Sequence, residues 1–275
     1  MVMSPLGDLL MKDLKVKPAQ FGIVVSSYAL AAGLSGFLTA GFADRFDRKK
    51  LLVFFYSGFI IGTLFCGLGQ SYEQLVMARI FTGVFGGVMS SISMAIVADL
   101  FSLDQRGRVM GFMQMGFGLS QILGIPISLY IAAQYNWQMP FYFIVALSLL
   151  MMIAILFGLQ PIRKHLDQKT NHSAFKHLLQ TIQNRNYRIG FMATAFMSLG
   201  GYFMMPWGSA FAVNNVGISQ KDLPLLFMIV GVSTFLIMPL IGILADKINK
   251  FQLFMAASII MVAAVLVYVR LEQTT

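Results

Sequence analysis

The sequence holds a single cysteine, Cys66, so no disulfide can close within the chain and no cysteine-based metal cluster can be built. Charge is scarce as well. Asp, Glu, Lys and Arg make up 11% of the 275 residues, too few to coat a soluble domain of this size. There is no H-E-x-x-H, no G-x-x-x-x-G-K-[ST] and no serine or cysteine beside a base and an orienting acid, which argues against an enzyme. No charged segment followed by a short apolar stretch and a cleavage site opens the chain, so the apolar runs read as retained spans. No cofactor or metal is expected. His165, His172 and His177 share one polar stretch, but their spacing fits no closed ligand set, and solvated basic linkers often contain histidine.

What is abundant is apolar side chain, at 57% of residues, with a mean hydropathy of +0.75. One soluble core cannot bury that much, and a lipid bilayer is the expected surroundings. Long windows of low charge, each about the 20 residues needed to cross a hydrocarbon core, run from 18 to 43, 51 to 72, 74 to 98, 109 to 133, 139 to 160, 189 to 213, 223 to 245 and 251 to 269. The third alone carries an ionisable residue well inside its bounds, Arg79. Helix is favoured over strand because the runs are continuous, and because a helix satisfies its own backbone where water is absent. The expectation is an all-α polytopic membrane protein with about eight transmembrane helices.

The net charge of +9 lies in short segments between these windows, the pattern of cytoplasmic loops rather than of a nucleic-acid face. Arg45, Arg48, Lys49 and Lys50 follow the first window, and Arg106 and Arg108 the third. Arg163, Lys164, Lys169, Lys176, Arg185 and Arg188 follow the fifth, and Lys247 and Lys250 the seventh. By the positive-inside rule the loops at 44–50, 99–108, 161–188 and 246–250 face the cytoplasm of a cell membrane. Lys12, Lys15 and Lys17 dissent, since they precede the first window on the opposite side. The polar stretch 161–188 reads as a linker, with a surface helix expected at 174–183 from the spacing of Phe175, Leu178, Leu179 and Ile182.

The chain repeats itself. "GILADKINK" at 242–250 follows the pattern of "AGFADRFDRK" at 40–49, which sets Asp246 against Asp44, Lys247 against Arg45 and Lys250 against Arg48. Six windows lie between the two aspartates, so the repeat unit is six helices. This paired charged loop resembles the signature loop of the major facilitator superfamily. "LVMARIFTGVFGG" at 75–87 is similar to that family's fourth-helix motif, and "GLSQILGIPIS" at 118–128 to its fifth-helix antiporter motif, with Ser128 where a glycine is usual. "NWQMPF" at 136–141 resembles the sequence entering the sixth helix of proton-coupled drug and sugar efflux members, with Gln138 in place of an arginine. Ala40 and Asp47 stand at the signature loop's glycine positions.

The resemblance implies a partial major-facilitator fold. Residues 1–160 would be the N-terminal half, from the end of helix one through helix six, 161–188 the linker, and 189–275 helices seven to nine. The first helix and the last three would be missing. It further implies a secondary transporter that moves a drug-like compound or sugar by alternating access, with protons as the coupling ion. The other reading is a fragment or scaffold that transports nothing.

Candidate residues follow. Basic residues at 45 to 50 anchor topology, but Asp44 and Asp47 have no such role. The resemblance implies a conformational latch of Asp44, Arg45, Arg48, Lys49, Asp99, Arg106, Asp246 and Lys250, in which Arg48 or Arg45 pairs with Asp99 and Asp44 faces a helix amino end. Arg79 is either a snorkelling anchor or, as the resemblance implies, a cavity residue that assists proton transfer. Gln114, Gln121 and Ser128 recur every seven residues on one face, suited to helix–helix hydrogen bonds or to substrate, with Gly111 and Gly118 alongside. Gly124 and Pro126 weaken that helix. Tyr202, Pro206 and Trp207 line a cavity or belong to an interfacial belt, and the pairs Gly58/Gly62 and Gly83/Gly87 have the spacing for close helix contact.

Overall fold

The computed structural model describes residues 3, 6–39, 42–163, 166, 181–204, 211–212, 215–219 and 222–270. Among the described residues there is no strand. The helices are α1 (Gly7–Asp13), α2 (Pro18–Thr39), α3 (Arg48–Leu68), α4 (Tyr72–Leu100), α5 (Leu103–Leu119), α6 (Ile125–Gln134), α7 (Met139–Gly158), α8 (Arg185–Met204), α9 (Leu223–Lys247) and α10 (Lys250–Val269). A π turn at Ser120–Gly124 joins α5 to α6.

Seven of the eight expected windows coincide with helices long and apolar enough to cross a membrane, α5 and α6 counting as one. The window at 189–213 falls on α8, which opens with Arg185, Asn186 and Arg188 and runs into residues outside those described. The surface helix expected at 174–183 also lies mostly outside the described residues, as do His165, His172 and His177.

Two compact units emerge, residues 1–100 with 127–179 and residues 101–126 with 180–275. In the first, α2 packs on α4, α4 on α3, and α3 on α7. Glycines let these backbones approach. A Cβ at Gly83 would lie 2.6 Å from the Tyr28 carbonyl oxygen, and one at Gly62 3.0 Å from Thr82 Cα. At one end a core of Leu6, Leu10, Val24, Cys66, Leu75, Trp137 and Phe141 closes the unit.

In the second unit α5 lies against α9. A Cβ at Gly111 would meet the Met238 carbonyl at 2.7 Å, and one at Gly118 the Gly231 carbonyl at 2.8 Å. Outward faces are apolar throughout, with Leu34, Phe54, Leu150 and Ile260 all exposed, as hydrocarbon surroundings would require.

Candidate functional site

After α2 the chain makes a short 3₁₀ turn at Ala43–Arg45 and runs extended through Phe46 into α3. Asp47 is the α3 N-cap; its carboxylate accepts from the amides of Lys49 and Lys50, two of the donors that a helix start leaves unmatched. The cap places Arg48 on the first turn, pointing back under the loop. Its guanidinium, almost wholly buried, donates three ways: Nη2 to Asp44 Oδ1 at 2.7 Å, Nε to Asp99 Oδ2 at 2.9 Å and Nη1 to the Ala43 carbonyl at 2.8 Å. Of the two candidate arginines it is therefore Arg48 that reaches Asp99, at the end of α4. Arg45 is exposed. Lys49 Nζ donates to the Leu156 carbonyl at 2.7 Å, in the last turn of α7.

The second charged loop is built alike. Asn249 occupies the place of Asp47 in the repeat and caps α10, accepting from the Phe251 amide at 2.9 Å, with Lys250 following as Arg48 follows Asp47. Asp246, at the end of α9, reaches α5. Its Oδ1 accepts from the Gly107 amide and its Oδ2 from the Arg108 amide, each at 2.8 Å. Gly107 makes this possible, because a Cβ there would overlap Asp246 Oδ1. Aligned peptide dipoles near a helix start reinforce a carboxylate held this way. Arg106, one residue earlier, donates from Nε to the Phe101 carbonyl at 3.1 Å. Asp44, by contrast, holds Arg48 while its side chain stays 72% exposed.

Arg79 turns toward α2. Its guanidinium sits 4.3 Å from the centre of the Tyr28 ring, and Nε lies 3.5 Å from the Val24 carbonyl. A cation stacked over a phenol inside a bundle is held by the ring's negative face.

The seven-residue stripe of Gln114, Gln121 and Ser128 does not stay on one face. The π turn between Gln121 and Ser128 inserts one residue, which rotates the following helix by about 100°. Its cause is Pro126, which has no amide to donate and whose ring crowds the carbonyl one turn back, so the ladder widens before it. Gly124 lies in that turn. Gln121 Oε1 is buried with no hydrogen-bond partner among the described residues, and Gln114 is half-buried. Tyr202 lies on α8, while Pro206 and Trp207 are outside the described residues.

Three side-chain pairings were not read from the sequence. Arg163 Nε donates to Asp47 Oδ2 at 2.7 Å, and Trp137 Nε1 donates to Asp13 Oδ2 at 2.9 Å. Tyr28 under Arg79 is the third. Asp47 itself carried a signal, an acid in a loop that topology alone does not explain. Burial raises the Asp47 carboxyl, but hydrogen bonds from Arg163 and from the Lys50 and Lys49 amides, with the Arg163 charge, hold it on balance below the usual carboxylate range.

Apolar helices joined by short charged loops, one loop pattern recurring after six spans, define a multi-pass membrane protein of transporter type. The chain belongs to the Major Facilitator Superfamily, whose model matches residues 1–274; its members are transporters rather than enzymes. It is 25% identical over 252 residues to multidrug resistance protein 2 of Bacillus subtilis, covering 90% of this chain and 63% of that protein. It is 30% identical over 150 residues to multidrug resistance protein 3 of the same organism, covering 54% of this chain and 29% of that one. The solved proton:xylose symporter XylE, bound to 6-bromo-6-deoxy-D-glucose, shares the fold with a TM-score of 0.63 at 16% identity, over 90% of this chain and 65% of its own. The chain thus spans less than two thirds of each, at 63%, 29% and 65%.

Proposed function

We propose that the chain forms the middle of a secondary transporter that moves drug-like molecules or sugars across the cell membrane by alternating access, coupled to protons. The charged loops at 44–50, 99–108, 161–188 and 246–250 face the cytoplasm in this reading, because they hold the basic residues. The observation that carries it is Asp246 on the Gly107 and Arg108 amides. By the repeat, α5 belongs to the first set of six helices and α9 to the second, so this contact ties one set to the other. It is made of a few directional hydrogen bonds at a charged loop, the kind that opens and recloses as a cavity changes face. Arg48, shared by Asp44 and Asp99, is the counterpart in the first repeat. Arg79 is the residue we assign to coupling, with Gln121 and its unmatched acceptor in the path of the substrate.

The test is flux in proteoliposomes of ethidium and of a labelled pentose, with and without an imposed pH gradient. Flux of one probe that follows the gradient, and falls severalfold in Asp246→Asn and Arg79→Ala, is the expected result. A protein that moves neither probe, or variants that match the parent, would remove the assignment.

A further inference from the structure

Asp47 departs from the glycine expected at its place in the loop, and the structure gives it two tasks. One oxygen caps α3 through the amides of Lys49 and Lys50, at 2.9 and 3.3 Å. The other accepts from Arg163 at 2.7 Å. Only the first is needed for a helix start. The second reaches across 116 residues, to the segment that leaves α7.

That segment touches the loop residue by residue. Asp47 takes Arg163, the Arg48 amide donates to the Ile162 carbonyl at 3.2 Å, and Lys49 Nζ donates to the Leu156 carbonyl. Ile162 is 6% exposed, seated where the segment crosses the start of α3. Three successive loop residues are thus each bound to the α7 exit. The middle one, Arg48, is the residue whose guanidinium gathers Asp44, Asp99 and the Ala43 carbonyl.

We infer that Asp47 and Arg163 form a positioning clasp: the α7 exit at 159–163 holds the first turn of α3, and through it fixes Arg48 in its three-way contact. The importance of the clasp rests on the loop's proposed latch role; its existence does not. A charged group at 163 is needed because Asp47 is buried, and a buried carboxylate without a cationic partner is costly. Arg163 itself is 61% exposed, so the segment can release without stranding its own charge. Arg suits the place better than Lys for its fork, but the charge is the main requirement.

Maleimide labelling of the whole chain tests this, in a Cys66→Ser background with one new cysteine at a time. Ala43→Cys reports on the floor beneath Arg48, where residue 43 is 7% exposed. Ala132→Cys reports on the distant core beside Trp137, where residue 132 is 4% exposed. Arg163→Gln and Asp47→Asn, the latter keeping a capping oxygen, are each expected to speed labelling at 43 by about three- to tenfold, as loss of a half-exposed charged hydrogen bond would. Labelling at 132 stays at the parent rate. The double variant labels no faster than the faster single one, and Arg163→Lys stays near the parent. The clasp is overturned if Arg163→Gln leaves position 43 as slow as before, or if positions 43 and 132 speed up together, which would mean general loosening. No transport is needed for this readout. A failure of Asp246→Asn to alter flux would therefore strike the proposed function and leave the clasp standing.

Discussion

Asp246 and Gly107 are 139 residues apart in sequence, yet the carboxylate of one accepts from the amide of the other at 2.8 Å. No side chain stands between them, because Gly107 has none. The contact therefore depends on the absence of a methyl group as much as on the presence of a charge.

Gly107→Ala places a Cβ where it overlaps Asp246 Oδ1 and lies 2.8 Å from the Gly242 carbonyl. Neither neighbour can yield cheaply, since one is hydrogen-bonded and the other is backbone. The expected loss of stability is about 1–3 kcal/mol, as for overpacking of a well-filled contact. Gly116→Ala is the control, with nothing within 4 Å of its Cβ, and should unfold at the parent temperature. Thermal unfolding in detergent micelles compares the two.

Arg48→Ala should be among the most damaging substitutions in the charged loop. It strips partners from Asp99, Asp44 and the Ala43 carbonyl at once, and the arginine it removes is almost wholly buried. A cost of roughly 3 kcal/mol is expected, the lower end for breaking a buried pair, because Asp99 keeps 20% of its surface. Asp44→Asn should cost no more than about 1 kcal/mol, since that carboxylate is 72% exposed. Equal losses in the two variants would show that Asp44 carries more of the loop than its exposure allows.

Much of this was legible in the residues. Continuous apolar runs gave seven of the spans to within a few residues, because nothing but a self-satisfied helix crosses lipid. The repeated Asp44 and Asp246 pointed to both charged loops, and Asp99 was paired with the right stretch of sequence. What stayed hidden has two physical causes. Arg163 and Asp47, like Trp137 and Asp13, meet only because distant segments fold together, and side-chain spacing along a single helix carries no trace of that. The face shared by Gln121 and Ser128 was misjudged because periodicity assumes a regular helix, and the π turn ahead of Pro126 breaks it.

Asp47 should make stability pH-dependent in a definite direction. Its carboxyl is held below the usual range in the folded chain. Above the ordinary carboxylate pKa of about 4 both folded and unfolded forms are ionised, and the full stabilisation is present. As pH falls below that point the unfolded chain protonates first, so the contribution drains away until pH has passed through the lowered folded value. Asp47→Asn removes the term. The gap in unfolding temperature between parent and variant should therefore be widest at neutral pH and shrink on acidification toward pH 3, and a gap that widened instead would contradict the geometry.

Arg79 and Tyr28 provide a sharper test, because ring chemistry separates two explanations of one contact. The guanidinium stands 4.3 Å from the ring centre, and Gly86 lies close to the phenol oxygen, so a hydroxyl role and a π role both have a structural basis. If the ring's negative face holds Arg79, Tyr28→Phe keeps the attraction and leaves stability within a few tenths of a kcal/mol, whereas Tyr28→Leu loses about 1–2 kcal/mol. If the hydroxyl matters instead, both variants fall together. The first pattern is expected, because the contact recorded for Arg79 is with the ring, and because no acid is printed as its partner among the described residues. Arg79→Lys should behave like a partial loss, since an ammonium cannot lie flat on the ring and also reach toward the Val24 carbonyl. Unfolding temperatures of the four proteins, read beside gradient-driven flux, separate a residue that merely steadies α2 against α4 from one that also serves coupling: Tyr28→Phe should keep both stability and flux, and Arg79→Lys should lose flux out of proportion to its small loss of stability.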